Sequence, residues 1–152
     1  MDQMMPRNPD FERLVRDSFV RQHVMTLLGA TLTGVEPGVV EIALPYRVDL
    51  TQQHGYIHAG IVGTIADSAG GYAGFTLMPA GSTVLSVEYR MHLLAPARGE
   101  KLVARGRVVR SGRTLTVCQL EVDAIENGVP SRCAIGTQTL ICLPETPDRP
   151  SG

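Results

Sequence analysis

The chain has 152 residues, of which 43% are hydrophobic and 19% charged, with a formal net charge of −1. That length suits one domain with a real core, and the balance is globular rather than disordered. A charge this close to zero supplies no global field for nucleic acid or an anionic membrane, and leaves room only for a local arginine cluster facing a phosphate-bearing ligand.

Residues 1–28 read as an N-terminal helical segment. Acidic residues and prolines precede any apolar run, unlike a signal peptide. Asn8-Pro9-Asp10 offers capping chemistry, and Phe11, Leu14, Val15 and Phe19 follow at helical spacing. A short turn continues from Val24 to Leu28. Ala30 to Val35 and Val39 to Leu44 read as two strands joined at Glu36-Pro37-Gly38. A polar loop runs from Pro45 to Gly55, and an apolar Gly/Ala/Ser-rich helix then spans His58 to Leu77, stopped by Pro79-Ala80-Gly81.

Between Ala59 and Met78 the only charge is Asp67. The length is right for a membrane span, but a mid-span carboxylate costs about 2.5–3.5 kcal/mol on insertion scales and the glycines dilute the apolarity. The helix is therefore expected inside the protein and not in a membrane.

After the turn the period changes to alternation. Val87, Tyr89, Met91 and Leu93 are expected on one face, and Ser86, Glu88, Arg90 and His92 on the other. Three further strands are expected at Glu100–Arg110, Thr114–Ile125 and Ser131–Leu143. Ser111-Gly112 and Asn127-Gly128 give tight-hairpin signals between them. Residues 29–143 form one domain, and the Pro-rich tail, 144–152, is expected to fray.

The pattern places the chain in the α+β class: one helix apolar nearly all round, and a meander of long antiparallel strands. Gly60, Gly63, Gly70, Gly71 and Gly74 each cost up to about 1 kcal/mol of helix propensity, which is tolerable where a sheet wraps close to the helix backbone. Cys118, Cys133 and Cys142 lack CxxC spacing and clustered histidines, so neither structural zinc nor a disulfide framework is expected, and a reducing cytoplasm is the natural setting.

The most informative stretch is Gln52-Gln53-His54-Gly55-Tyr56-Ile57-His58-Ala59-Gly60, followed after six residues by Asp67. It resembles the HGG-x6-D/E signature of the PaaI-like hotdog-fold acyl-CoA thioesterases, with the upstream amide of that family at Gln52. Ser86-Val87-Glu88-Tyr89, Leu94-Ala95-Pro96-Ala97 and Arg110-Ser111-Gly112-Arg113-Thr114 resemble the strand, corner and hairpin that follow in the same family. The resemblance runs from about residue 30 to 143 and implies a hotdog fold, a curved antiparallel sheet wrapped around one long central helix.

Residue by residue, the resemblance implies that Asp67 is the nucleophile or general base and that the Ala59 backbone N–H polarises the thioester carbonyl. Gln52 would orient the carbonyl or the attacking water, and Ser86 would position that water. His58, beside Gly60, would order the loop rather than move protons. The family usually has glycine at the position of Ala59; a backbone donor survives the change, while the added methyl narrows the slot. Arg90, Arg110 and Arg113 are the candidate ligands for coenzyme A phosphates. No metal and no cofactor beyond the coenzyme A of the substrate is implied.

The chemistry is reasonable without the family. A thioester is already activated, so a placed water or nucleophile and a donor aimed at the developing oxyanion suffice. A helix N-terminus presents free N–H groups and partial positive charge. The competing readings are a structural Asp67, a solvent-facing Ser86 and solvated arginines. At the level of function they are a hotdog hydratase or dehydratase pairing His58 with Asp67, and a non-catalytic acyl-CoA binding module. A homodimer with shared active sites is expected, with a dimer of dimers as the larger assembly, because Ala59 and Asp67 lie about 12 Å apart along one helix.

Overall fold

The computed structural model describes residues 4–149; residues 1–3 and the 150–152 part of the expected tail lie outside it. The Asn8 side chain accepts the Asp10 N–H at 3.0 Å, and Asp10 stands at the N-cap of α1 (Phe11–Arg21) without a side-chain cap bond of its own. α1 turns Val15, Ser18 and Phe19 inward. After a break at Gln22, α2 (His23–Leu28) ends on Gly29 in the left-handed region, φ 71°.

β1 (Thr31–Glu36) and β2 (Val39–Pro45) form a hairpin, and α3 (Ala59–Phe75) follows the loop. β3 (Thr83–Leu93), β4 (Lys101–Ser111), β5 (Leu115–Glu126) and β6 (Val129–Leu143) complete one antiparallel sheet in the order β1-β2-β4-β5-β6-β3. β3 crosses over to pair with β6, so β1 and β3 are the edges. α3 packs against β2, β3, β4, β5 and β6, which makes it the axis of the core. This is the architecture that the family resemblance implies. Among the described residues no helix is long and apolar enough to cross a membrane.

The wrap is tightest at Gly70. A Cβ there would lie 1.9 Å from Gln138 Oε1 and 2.5 Å from Leu120 Cδ2, so the approach of helix and sheet requires glycine. The same reasoning fails for Gly71, whose added Cβ would meet nothing within 4 Å. Gly71 belongs to a partly exposed line down α3, formed with Gly60, Thr64 and Asp67 at alternating spacings of four and three. The central helix is thus sheathed on most sides and open along one.

Two sequence expectations need correction. Asn127-Gly128 makes the tight turn its composition predicts, both residues having positive φ (53° and 75°). Ser111-Gly112 does not: the connection is the three-residue loop 112–114, closed by the Gly112 N–H on Leu115 O at 2.8 Å. The second correction bears on the site. Regular alternation puts Ser86 opposite Tyr89, Met91 and Leu93, but β3 has a register shift between Ser86 and Glu88. The extra residue, Val87, resets the phase. Ser86, Tyr89, Met91 and Leu93 then pair with Leu140, Gln138, Gly136 and Ala134, all buried, and so share the helix-facing side.

The segment after Pro144 returns to the body. Asp148 accepts the Thr83 hydroxyl at 2.9 Å and pairs with Arg21 at 3.1 Å, which holds a stretch whose composition predicts fraying.

Candidate functional site

The sequence-predicted residues nearest the proposed chemistry fall into two cavities. The first, of about 490 Å³, is lined by Gln52, Tyr56, His58, Ala59 and Val62, and by the end of β3 with residues 93–97. Its loop is held by the Gln52 N–H on Tyr56 O (2.8 Å) and by Gln52 Oε1, which accepts the His54 N–H at 2.5 Å. Among the described residues Gln52 Nε2 has no partner, so it remains a donor.

His58 is the N-cap of α3, and its Nδ1 accepts the Gly60 N–H at 2.9 Å. An accepting Nδ1 puts the proton of the neutral ring on Nε2. The Ile61 and Val62 N–H groups both reach His58 O, at 2.9 and 3.1 Å. Of the first-turn donors this leaves the Ala59 N–H, unpartnered among the described residues, at the positive end of the helix dipole. That is the electrostatic setting an oxyanion needs.

The second cavity, of about 270 Å³, is lined by Asp67, Ser86, Gly71, Ser18, Gln22, Ser68 and Tyr72, among others. Asp67 Oδ1 accepts the Ser86 hydroxyl at 2.6 Å and the Gln138 amide Nε2 at 2.6 Å. Gln138 Nε2 also reaches the Asp67 carbonyl and Ser86 Oγ, both at 3.0 Å. Oδ2 has no partner among the described residues. The carboxylate therefore has one oxygen fixed and one presented. Ser86 is exposed at the sheet edge but does not point away from the helix as plain alternation predicts; the bulge at Val87 brings it to Asp67.

Several site neighbours escape the sequence reading, Gln138, Ser18 and Gln22 among them. Gln138 is fully buried on β6, and its only sequence signal is an amide inside the inward row Ala134, Gly136, Leu140, Cys142. Ser18 and Gln22 come from α1 and the α1–α2 break. The Ser68 hydroxyl donates to Gln22 Oε1 at 2.7 Å, Gln22 Nε2 donates to Tyr72 OH at 3.1 Å, and Ser18 Oγ lies 3.2 Å from that OH. Burial raises the Tyr72 phenol above its ordinary range, despite the Ser18 hydrogen bond.

Arg90 and Arg110 pair with Thr137 and Val117 on the outer face of the sheet, and Arg113 sits in the 112–114 loop. None of the three lines either cavity. Within one chain, the structure brings Asp67 to Ser86 and Gln52 to Ala59 and His58, but it leaves the two groups in separate cavities.

Comparison with known proteins gives a consistent picture. The sequence profile described as the thioesterase superfamily matches residues 54–131. A candidate esterase of Halobacterium salinarum is 32% identical over 128 residues, covering 78% of this chain and 84% of its own length. The crystal structure of a thioesterase family protein from Silicibacter pomeroyi is 48% identical, with a TM-score of 0.86 over 88% of this chain and 98% of that one. The Escherichia coli PaaI protein, from the phenylacetic acid degradation operon, has a TM-score of 0.79 over 90% of this chain and 96% of its own. At 16% identity it speaks for the hotdog fold alone.

Proposed function

The chain belongs to the thioesterase superfamily, and from that premise we propose that it hydrolyses acyl-CoA esters to the free acid and coenzyme A, using sites shared by two copies. The observation that carries this reading is the half-held carboxylate: Asp67 lines the cavity, its Oδ1 fixed by Ser86 and Gln138 and its Oδ2 without a partner among the described residues. Oδ2 either takes a proton from the attacking water or itself attacks the thioester carbon, giving an anhydride that water then opens. In both routes the carbonyl electrons move onto oxygen, the Ala59 N–H donates a hydrogen bond to the oxyanion so formed, and collapse expels the coenzyme A thiolate. Gln52 Nε2 is the second donor for that carbonyl. The acyl group, aryl or medium-chain, occupies the Asp67 cavity. The coenzyme A phosphates fall to Arg90, Arg110 and Arg113 on the outer surface.

The separation of the two cavities supports sharing. β3 is an open edge carrying half-exposed Leu85, Val87, Tyr89 and Leu93, and α3 is bare along the Asp67 line. A two-fold partner covers both and, with the helices antiparallel, sets its Ala59 against Asp67 of the first chain. A hydratase would need His58 as acid–base partner of Asp67. Its Nδ1 instead accepts the Gly60 N–H, the loop-ordering part that the resemblance gives it, which favours hydrolysis.

The test is release of free coenzyme A from a panel of acyl-CoAs. Asp67→Asn is expected to lower turnover by roughly 10²–10⁴, the scale of a general base, with acyl-CoA binding little changed. A wild-type chain that binds acyl-CoA without releasing coenzyme A would be a binding module, and an Asp67→Asn variant with full turnover would remove Asp67 from the chemistry.

A further inference from the structure

We infer that Gln138 is a positioning residue for the reaction, held in the core against the interest of stability. The inference rests on the hydrolytic role proposed for Asp67. Gln138 is fully buried, yet its side chain is only half satisfied: Nε2 serves Asp67 Oδ1, the Asp67 carbonyl and Ser86 Oγ, while Oε1 has no hydrogen-bond partner. The amide orientation follows from the chemistry. Reversed, it would aim its oxygen at a carboxylate and a carbonyl, both acceptors. The orphaned Oε1 is therefore a consequence of serving Asp67, and it lies against the bare Cα of Gly70.

An unsatisfied buried acceptor is destabilising, and an apolar side chain of the same shape would remove that penalty while giving up the bonds to Asp67 and Ser86. The row around it, Ala134, Gly136, Leu140 and Cys142, shows what packing alone selects there. In return the amide fixes two things. Its donation to Ser86 Oγ leaves the serine proton to point at Asp67 Oδ1. Its donation to Oδ1 prevents the carboxylate from turning, so that Oδ2 alone meets the reacting carbon or water. Small losses of alignment at a reacting group are expensive in rate.

The experiment compares Gln138→Met, near in shape and without a donor, with wild type and with Asp67→Asn. Expected for Gln138→Met is a kcat lower by roughly 10- to 100-fold, KM within about threefold, and a Tm near that of wild type, the relieved Oε1 offsetting the lost bonds to Asp67 and Ser86. Combined with Asp67→Asn, it should add little further loss, because both changes act on one group. A purely structural Gln138 would instead lower Tm with kcat kept in the folded fraction, and either that result or an unchanged kcat overturns the inference. Gln138→Leu is made in parallel; failure of both variants to fold overturns it as well. An inactive Asp67→Asn beside a fully active Gln138→Met would sink this inference alone, whereas a fully active Asp67→Asn would sink the hydrolytic reading beneath it.

Discussion

Two crippled chains should repair each other if the site is built across a two-fold axis. The pair to mix is Gln52→Ala and Asp67→Ala. Ala59 and Asp67 are eight residues apart on α3, or about 12 Å along the axis, so no single thioester touches both in one chain. On that proposal each wild-type dimer would hold two sites, each combining the Gln52 and Ala59 half of one copy with the Asp67 half of the other. In a mixed dimer one site collects both lesions and the other collects none. Random pairing of equal amounts makes half the dimers mixed, with one working site in two, so recovery of about a quarter of wild-type activity is expected. The chains carry different affinity tags and are unfolded and refolded together; the whole mixture is assayed for coenzyme A release, and the doubly tagged species, isolated to verify mixing, is expected at about half of wild type. Both parents must be nearly inactive. Gln52→Ala also loses the Gln52–His54 loop bond, so its thermal stability is measured alongside. Verified mixed dimers with only parental activity would place the whole site within one chain and refute the reasoning.

The adjacent glycines of α3 give a second test. Gly70→Ala gains about 1 kcal/mol of helix propensity but drives a methyl to 1.9 Å from Gln138 Oε1, an overpacking cost of about 1–3 kcal/mol or more, so Tm falls. Gly71→Ala keeps the gain, so Tm holds or rises by roughly 2–4 °C, while its methyl narrows the Asp67 cavity and lowers kcat/KM for the bulkiest acyl groups. Equal Tm shifts in thermal melts would contradict the packing described. The buried thiols give a third. Burial pushes Cys118 up to about 12 and, with a smaller contribution from Asp123, Cys133 up to about 11, whereas an unfolded thiol ionises near 9. Both folded values are raised, so their stabilisation is intact below about pH 9 and lost as pH rises toward 11–12, by at most about 1.4 kcal/mol per pH unit per thiol. Urea melts at pH 8 and 10.5 should show the loss, and Cys118→Ala should reduce it; an identical pH slope in that variant would show that Cys118 does not contribute.

What the sequence discloses and what it hides follow from range. The order of elements is legible because periodicity is local, and the Asn127-Gly128 turn because positive φ has a strong residue preference. Asp67 stands out as a single charge in an apolar helix. The phase of β3 is not legible, since an extra residue at Val87 leaves the letters alternating while the backbone does not. Gln138 and Gln22 are hidden for a different reason: their partners, Asp67 and Ser68, are 71 and 46 residues away. The open line through Gly60, Thr64, Asp67 and Gly71 is masked by composition, because small residues look the same whether a sheet covers them or nothing does.

The walls of the Asp67 cavity come from widely separated parts of the chain. Asp67, Ser68, Gly71, Tyr72 and Ser86 belong to its middle, Ser18 and Gln22 to the segment before the sheet, and Asp148 to the segment after it. The two end segments meet each other through Arg21 and Asp148, and among the described residues neither provides a hydrogen bond to the Asp67 carboxylate. On the proposed function, the reacting groups would lie in the middle of the chain, while part of the wall that selects the acyl group comes from its two ends. Exchange of the chain ends between relatives, by recombination or in the laboratory, can retune what the cavity admits while the carboxylate and its fixings pass through unaltered.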